Sequence, residues 1–477
     1  MTAAIFAAMT QFFSHVPAIV HPFGISLMMT FLRATHRRMA AWLLLSVLAS
    51  PALALRASHK PAAASSKPRL TFVLILARHG VRAPSSPPGA LYRYSVRAWP
   101  SWHVAPDYLT PHGYKLLRQF GKWDRAWIAR QHLLTPSGCE APAIYIYTDS
   151  DERTIQSGHA LAEGLSPECA LTIHSRPEGH RDPLFHFSPV SLDAATRAAM
   201  LTSVRQRMGG SPNAFTAAHQ SELNLLQSIL NGCKPDAPCT TTRGRPQLRL
   251  DEIRNSVNIN PQGEVSLHGP VFKGASLAED ILLEYTQGMP SNNVAWGLLD
   301  SSQLREIIAL HTAEFAVKHR TPALARVEMS DLLGHILDTL QQAVQSRPVS
   351  SAWGAPSQKL VILDGHDTDI AAIAGLLHLH WTLDGRHDDT PPGSQLQFLV
   401  YRDPGGAAEI RMRIVMQTLR QMRDAATLTS LHPPASATLN LAGCTMKKCS
   451  GIEPWKSFDK AARSAIDTRF VLPFSQP

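Results

Sequence analysis

The chain has 477 residues, of which 44% are hydrophobic and 17% are charged. This length suffices for one large core with an insertion or for two cores, and the composition is that of an ordinary globular protein without internal repeats. The formal charge of +9 is compatible with anionic small molecules, nucleic acid or membrane surfaces. No dense Lys/Arg run interleaved with aromatic residues occurs, so the sequence does not favour nucleic-acid binding.

The N-terminal segment predicts a secretory signal peptide over residues 1–54. Basic residues between positions 33 and 38 precede a short apolar stretch over 40–48, and small residues up to Ala54 form a cleavage site. The apolar stretch is short for a bilayer span, and a retained membrane anchor is the alternative interpretation.

The mature protein is expected to begin folding near Arg69. Residues 55–68 are rich in Ala, Ser, Pro and Lys, which predicts a linker that cannot bury a core. Translation from Met29 or Met39 would make residues 1–28 an over-extended gene model. We expect the mature protein in the periplasm or outside the cell, without stable membrane association.

All six cysteines follow the predicted signal peptide, an even number that suits an oxidising compartment. Six cysteines allow fifteen pairings. Spacing favours two local pairs and leaves a third: Cys233–Cys239, Cys444–Cys449 and Cys139–Cys169. Zinc binding is the competing interpretation, but the sequence contains no Cys-x2-Cys pair.

Short β-rich runs separated by helical patterns predict an α/β fold with a mixed, mostly parallel sheet flanked by helices. The first run, 69–77, is almost continuously aliphatic and should be buried on both faces. Further strands are expected at 143–147, around Leu171 and at 359–363. Two late runs on either side of Gly405-Gly406 predict an antiparallel pair at the edge of the sheet.

Residues 182–345 are predicted to form a helical cap domain inserted into the α/β core, which would comprise residues 69–181 and 346–477. Apolar residues recur at three and four spacing in this segment, and a structureless loop of this length would be improbable. Ligand sites of open α/β sheets lie at the carboxyl ends of strands, so a cap there would wall a cleft.

The first strand ends on Arg78-His79-Gly80-Val81-Arg82, which places an imidazole between two guanidinium groups. Guanidinium forks bind phosphate oxygens bidentately, and a neutral imidazole nitrogen can attack phosphorus. A surface turn with paired charges is the alternative interpretation of such a motif taken alone.

Two further polar clusters follow predicted strands. Asp149 and Arg153 come after the second strand, and His366 and Asp367 come directly after the fourth. Arg153 can bind phosphate, His366 can donate to a phosphate oxygen, and Asp367 can protonate a leaving alkoxide. Taken alone, each cluster is more typical of a helix N-terminal cap. The His-Asp pair could also be half of a binuclear metal site, but the sequence offers no convincing set of further His and Asp ligands at helical spacing.

Together, the three strand ends supply three guanidinium groups, a nucleophile, a hydrogen-bond donor and an acid. These are the components of metal-free phosphomonoester hydrolysis, in which charge neutralisation accompanies covalent capture of the phosphoryl group on nitrogen.

The sequence resembles the histidine acid phosphatase family, whose nucleophile motif is present as RHGVRAP and whose proton-donor motif is present as GHDT. The similarity extends over nearly the whole mature chain, through LTPHGYKLLRQFGKW, TDSDERTIQSGHALAEGLSPEC and SLAEDILLEYTQGMP. It is greatest to the periplasmic phytases and glucose-1-phosphatases of Gram-negative bacteria. The resemblance implies a phosphoglycerate-mutase-like core with a helical cap, no metal or other cofactor, and an acidic pH optimum.

The resemblance also implies roles for individual residues. His79 would form a phosphohistidine intermediate, and Asp367 would be the general acid. Phosphate would be bound by Arg78, Arg82, Arg153 and His366. The three cysteine pairs favoured by spacing correspond to disulfides of the periplasmic members.

Five positions bear on the substrate. Asp369 stands where the family usually has Asn. If its carboxylate faces the pocket together with Asp367, the pKa of one of the two acids would be raised. The alternative interpretation is a carboxylate at the N-terminus of a helix that the helix dipole stabilises. Ser85 and Ser86 replace the Thr-Lys of phytase-like members, so a lysine that could reach a polyphosphorylated ring is missing. Asp149 and Glu279 match carboxylates near the substrate, with solvated helix residues as the alternative.

We therefore expect a monomeric acid phosphatase of phytase-like type that acts on small phosphomonoesters. A glucose-1-phosphatase or another sugar-phosphate phosphatase is the first alternative. The second is a catalytically inactive phosphate- or polyanion-binding protein, which the complete set of site residues disfavours.

Overall fold

The computed structural model describes residues 67–186, 191–235, 246–441 and 451–472. The predicted signal peptide and three of the six cysteines (Cys239, Cys444 and Cys449) lie outside the described residues. Within the described ranges, every helix is too short or too polar to cross a bilayer.

Strands and helices alternate along most of the described chain. The strands are β1 (Arg69–Arg78), β2 (Ile144–Thr148), β3 (Ile173–His174), β4 (Ser256–Ile259), β5 (Val265–His268), β6 (Leu360–Gly365), β7 (Thr382–Leu383), β8 (Arg386–His387), β9 (Gln395–Arg402), β10 (Ala408–Met416), β11 (Ala435–Leu439) and β12 (Glu453–Pro454). The helices are α1 (Pro88–Leu91), α2 (Pro111–Arg130), α3 (Glu152–Leu165), α4 (Ala194–Arg207), α5 (Pro212–Ala218), α6 (Gln220–Leu230), α7 (Pro270–Thr286), α8 (Ser301–Lys318), α9 (Pro322–Gln345), α10 (Asp367–Leu376), α11 (Leu419–Arg423) and α12 (Trp455–Ser464).

Eight strands form one mixed sheet in the order β11-β10-β9-β1-β6-β2-β3, with β12 paired to β10. Strands β1, β6, β2 and β3 pair in parallel, and the remaining ladders are antiparallel. The α/β fold with a mixed sheet is confirmed, as is the late antiparallel pair, β9 and β10. The prediction that this pair forms the edge of the sheet is wrong, because β9 lies beside β1 and β11 lies outside β10. The run ASATL of β11 is small and weakly hydrophobic, so it carries little strand signal.

The central strand β1 is buried on both faces, as its aliphatic run predicts. Successive side chains point to opposite faces. Leu74 and Leu76 belong to a core cluster with α9 and α10, whereas Val73 and Ile75 belong to a cluster with α2 and α3. Burial on both sides fixes the register of β1, so the strand delivers the residues that follow it to a defined place.

Helices α4 to α8 and the hairpin β4–β5 pack around a separate apolar cluster that includes Leu226, Ile281 and Ile308. Helix α9 lies inside the predicted cap range, yet it also contributes to the core of the sheet through residues such as Leu333 and Ile336. The boundaries of the cap and of the core therefore stay a prediction.

The first turn of α2 packs directly against the turn that follows β1. Thr110 caps the helix: its hydroxyl accepts the Gly113 N–H at 2.9 Å, and its own N–H donates to the Val81 carbonyl at 3.0 Å. A Cβ atom on Gly113 would lie 2.3 Å from that carbonyl oxygen, so only glycine permits this approach. Helix α2 therefore holds the turn after β1 in place.

A disulfide joins Cys139 to Cys169, with their Cα atoms 5.5 Å apart, which confirms this predicted pair. Cys233 is disulfide-bonded as well. The residue predicted to be its partner, and both members of the third pair, lie outside the described residues.

Removing this bridge with the double substitution C139S/C169S should lower the free energy of unfolding by about 3 to 4 kcal/mol. The expected loss is large because the two cysteines are 30 residues apart, so the bridge restricts a sizeable loop of the unfolded chain. Urea unfolding of both proteins under oxidising conditions measures the difference. Equal unfolding free energies would contradict the prediction.

Candidate active site

Three strand ends meet at one edge of the sheet. Strand β6 lies between β1 and β2 and pairs in parallel with both, so the residues after these strands come together. The ring centroids of His79 and His366 are 5.5 Å apart. His366 Nε2 lies 2.8 Å from Asp149 Oδ2.

His79 is held so that one ring nitrogen is available for chemistry. The residue is 2% exposed, and its Nδ1 lies 2.8 Å from the Gly80 carbonyl oxygen. A carbonyl oxygen can only accept a hydrogen bond, so Nδ1 carries the proton. In the neutral imidazole, Nε2 then has a free lone pair that can attack an electrophile.

The surroundings of His79 also favour its neutral form. Burial lowers its pKa well below the ordinary value, and the charges of Arg153, Arg78, His366 and Arg82 lower the pKa further. Protonation would occupy the free lone pair. Burial and the neighbouring charges therefore favour the nucleophilic form over the protonated form.

Arg78 is the most deeply buried of the three predicted phosphate-binding arginines. Its Nη1 donates to the Thr390 carbonyl at 2.6 Å, and its Nη2 lies 2.6 Å from Glu279 Oε1 and 2.9 Å from Asp367 Oδ2. Helix α7 supplies Glu279, whose Oε2 also lies 3.5 Å from Arg82 Nη2. An anion that enters this site competes with both carboxylates for the guanidinium group of Arg78.

Arg82 and Arg153 approach each other across a third carboxylate. Asp107 Oδ1 lies 3.7 Å from Arg82 Nη1 and 3.9 Å from Arg153 Nη1. Arg153 Nη2 also pairs with Asp151 Oδ2 at 2.6 Å and lies 3.4 Å from His366 Nδ1. The guanidinium groups thus face a common region beside the two histidines.

Asp367 is ionised when it is paired with Arg78. Burial acts to raise its pKa, but Arg78, His311, His366 and Arg82 outweigh burial and lower the pKa to about 2. A general acid has to carry a proton. Asp367 can therefore serve as an acid once a bound anion offsets the positive charge of Arg78.

Asp149 connects His366 to a second histidine. Its Oδ2 accepts hydrogen bonds from Nε2 of His366 and Nε2 of His186, both at 2.8 Å. Burial acts to raise the pKa of Asp149, but the two histidines outweigh it and lower the pKa. Asp149 is thus an ionised acceptor that orients His366.

Comparison with known proteins identifies the family. Residues 69–224 match the model of the histidine phosphatase superfamily (branch 2). Phytase AppA of Escherichia coli K12 is 34% identical over 420 residues, which cover 84% of this chain and 94% of that protein. This chain belongs to the histidine phosphatase superfamily. A glucose-1-phosphatase of Providencia rettgeri is 28% identical over 403 residues, which cover 83% of this chain and 91% of that protein.

Solved structures show the same fold as this histidine phosphatase. A Hafnia alvei phytase in complex with tartrate superposes with a TM-score of 0.76 at 34% identity, covering 85% of this chain and 99% of that chain. A phytase from Citrobacter braakii superposes with a TM-score of 0.73 at 29% identity, covering 85% of this chain and 100% of that chain. The predicted fold class and the predicted enzyme class, a phosphomonoester hydrolase, are confirmed.

In this histidine phosphatase, the Asp369 side chain lies at the N-terminus of helix α10 and is also buried near other carboxylates. Its Oδ2 accepts the His366 backbone N–H at 2.7 Å and so caps α10. The side chain is fully buried, and burial raises its pKa well above the ordinary value, helped by the charges of Asp149 and Asp367. The surroundings of Asp369 therefore favour its neutral acid form, which is close in shape and charge to an asparagine side chain.

The substitution D369N should flatten the pH dependence of stability. Folding raises the pKa of Asp369, so its contribution to stability is fully present below the unfolded pKa of about 3.9 and is lost as pH rises through the folded pKa. Asparagine keeps the acceptor for the His366 N–H and has no proton to lose. Urea unfolding from acidic to neutral pH should show the variant gaining stability over the parent as pH rises.

A matched control for this experiment is D403N, at the turn between β9 and β10. Asp403 is half-buried and its Oδ1 accepts the Ala407 N–H, a hydrogen bond that asparagine can keep. Its stability should follow that of the parent protein across the same range. A stability difference between D369N and the parent that does not change with pH would contradict the prediction.

Ser85 and Ser86 lie on the outer side of the site. The Ser85 hydroxyl donates to Asp107 Oδ1 at 2.6 Å. Ser86 lines an apolar cavity of about 280 Å³ together with Trp99 and Trp102. The two serines thus adjoin the phosphate-binding arginines without adding a positive charge.

Three groups of the site were missed by the sequence analysis. His186 directly follows the motif DPLF, and its position beside that family motif was the available signal. His311 lies among apolar residues of α8, where a single buried histidine is only a weak signal. Asp107 lies in a segment without periodicity, so no sequence pattern indicated it.

Two groups of side chains at the site carry donor atoms that all lie within 4.8 Å of one another, as a divalent metal requires. They are Asp149, Asp151, His186 and His366 in one group, and Glu279, His311 and Asp367 in the other. Imidazole nitrogens and carboxylate oxygens suit zinc and other transition metals. The neighbouring arginines disfavour a cation at either place. Metal-free catalysis stays a prediction, which the activity measured with and without a chelator can test.

Proposed function

We propose that this histidine phosphatase hydrolyses phosphomonoesters in two steps, through a phosphohistidine on His79. The observation that carries the proposal is the hydrogen bond from His79 Nδ1 to the Gly80 carbonyl, which leaves Nε2 without a proton on a ring that feels the charges of Arg78, Arg82 and Arg153. Such groups neutralise the charge of a phosphoryl group while a nitrogen nucleophile attacks it.

In the first step, the phosphoryl oxygens bind to Arg78, Arg82 and Arg153. His366 donates to them through Nδ1 when that nitrogen also carries a proton, because its Nε2 donates to Asp149. The lone pair of His79 Nε2 attacks phosphorus, and the bond between phosphorus and the leaving oxygen breaks. Asp367 gives its proton to that oxygen, so the product leaves as a neutral alcohol.

Asp367 acquires this proton because the substrate changes its surroundings. A bound phosphoryl group takes up the charge of Arg78, which otherwise holds the pKa of Asp367 at about 2. Loss of that stabilisation raises the pKa of Asp367 and permits protonation in acidic solution. An acidic pH optimum follows.

In the second step, the Asp367 carboxylate takes a proton from water. The water oxygen attacks phosphorus, the bond between phosphorus and Nε2 breaks, and inorganic phosphate is released. His79 returns to its neutral form, in which Nδ1 donates to the Gly80 carbonyl.

The substrates that we propose come from the relatives, which include phytases and glucose-1-phosphatases. Inositol hexakisphosphate and glucose 1-phosphate are therefore the candidate substrates. The N-terminal basic and apolar pattern supports export, so we propose that the enzyme acts in the periplasm or outside the cell.

A substrate panel at acidic pH tests the proposed function. Purified mature enzyme is assayed with inositol hexakisphosphate, glucose 1-phosphate and p-nitrophenyl phosphate, each with and without EDTA. We expect turnover of at least one ester that EDTA does not reduce. Loss of turnover in EDTA would overturn metal-free catalysis, and phosphate binding without any turnover would support the inactive binding protein instead.

A further inference from the structure

Asp107 has an unusual backbone conformation at the outer side of the site. Its φ angle is +68°, in the left-handed region that non-glycine residues rarely adopt. Aspartate tolerates this region better than most residues, yet the conformation is still a cost to the fold. Strained residues of this kind cluster at functional sites.

The side chain of Asp107 is directed at the phosphate-binding groups. Its Oδ1 lies within 4 Å of Nη1 of both Arg82 and Arg153, and it accepts the hydroxyl of Ser85 at 2.6 Å. The side chain is 40% exposed, whereas those of the two arginines are 10% and 16% exposed. Asp107 therefore presents a negative charge on the solvent side of the two arginines.

The apolar cavity of about 280 Å³ lies beside this carboxylate. Its described lining includes Ala83, Pro84, Trp99, Trp102 and Pro106, and none of its lining residues carries a charged side chain. Ala83 follows Arg82 in the chain and accepts a hydrogen bond from its Nη1. Pro106 directly precedes Asp107. The cavity thus adjoins the phosphate-binding arginines on the same side as Asp107.

We propose that Asp107 and this cavity form a leaving-group subsite for an uncharged ring that carries hydroxyl groups, and that Asp107 disfavours substrates with additional phosphates. The Asp107 carboxylate can accept a hydrogen bond from a ring hydroxyl, and indole faces pack against the apolar faces of a ring. A second phosphate placed near Asp107 meets a like charge, and Ser85 and Ser86 add no cation to offset the repulsion.

The inference rests on the proposed function and assigns its substrate class. A monophosphate of a sugar or a similar polyol ring satisfies the subsite. Inositol hexakisphosphate fits neither part of the subsite, because its additional phosphates lose hydration in an apolar cavity and are repelled by the Asp107 carboxylate.

The substitution D107N tests the charge without disturbing the backbone, because asparagine also tolerates the left-handed region. Values of kcat/KM are measured for glucose 1-phosphate and inositol hexakisphosphate at one fixed acidic pH for all variants. We expect D107N to shift the ratio of the two values toward inositol hexakisphosphate by about fivefold or more at low salt. The shift should shrink at high salt, because screening weakens charge repulsion.

The variant D403N serves as the matched control and should leave the ratio unchanged. The variant W102L, which keeps apolar bulk but removes the indole face, should reduce the preference for glucose 1-phosphate over the acyclic glycerol 2-phosphate.

The possible outcomes separate this inference from the proposed function. A parent enzyme that hydrolyses none of these esters overturns the proposed function. A parent enzyme that is active, with the same substrate ratio in D107N, overturns the role of Asp107 alone. An unchanged preference in W102L overturns the ring subsite.

Discussion

Replacing His79 with alanine should lower kcat/KM for every phosphomonoester substrate by at least about 10⁴-fold. The reason is that the variant lacks the nitrogen that captures the phosphoryl group, while the guanidinium groups that bind phosphate remain. Direct attack by water then has to replace covalent catalysis. Steady-state kinetics on p-nitrophenyl phosphate, whose leaving group needs no acid, isolates the loss of the nucleophile.

A trapping experiment distinguishes loss of the nucleophile from loss of the fold. Labelled substrate quenched in alkaline denaturant should leave label on the parent protein and none on H79A. The control H159A removes an exposed histidine on α3 and should behave like the parent in both assays. Turnover of H79A at the parental rate would show that the proposed mechanism is wrong.

Replacing Asp367 with asparagine should slow the hydrolysis of alkyl phosphates by about 10²- to 10⁴-fold. Asparagine cannot protonate the leaving oxygen, so a poor leaving group has to depart as an alkoxide. Aryl phosphates, whose phenolates are stable anions, should be affected much less. The measurement is the dependence of kcat/KM on the pKa of the leaving alcohol, which should be steeper in D367N than in the parent.

The matched control for this series is D424N, an exposed aspartate at the end of α11 whose side chain pairs only with Arg420 among the described contacts. It should reproduce the parental dependence on the leaving group. If D367N also reproduces that dependence, Asp367 is not the general acid, and another acid of the site, such as Glu279, would have to be tested.

The parts of the site that are predictable from sequence are those carried by strand ends. Aliphatic runs mark β1 and β6, and the polar residues directly after them can only lie at the edge of the sheet. Arg78, His79 and His366 follow from this rule, because local sequence determines both the strand and its end.

Other parts of the site depend on tertiary packing and have no local signature. Asp107 reaches the arginines from an aperiodic segment, and His311 reaches Asp367 from the middle of α8. The ionisation of Asp369 likewise depends on its burial and on Asp149, which is distant in sequence, as well as on the neighbouring Asp367. Sequence pattern identifies the residue type at these positions but not the neighbours that determine its chemistry.

The close contact between Gly113 and Val81 has a consequence for turnover. Because the first turn of α2 lies against the backbone that follows His79, the orientation of the imidazole is established when the protein folds. Little reorganisation free energy then remains to be supplied when the substrate arrives, which is the condition for a preorganised active site. Adaptation to different leaving groups is therefore left to the outer, more exposed groups of the site, while the reacting nitrogen stays fixed.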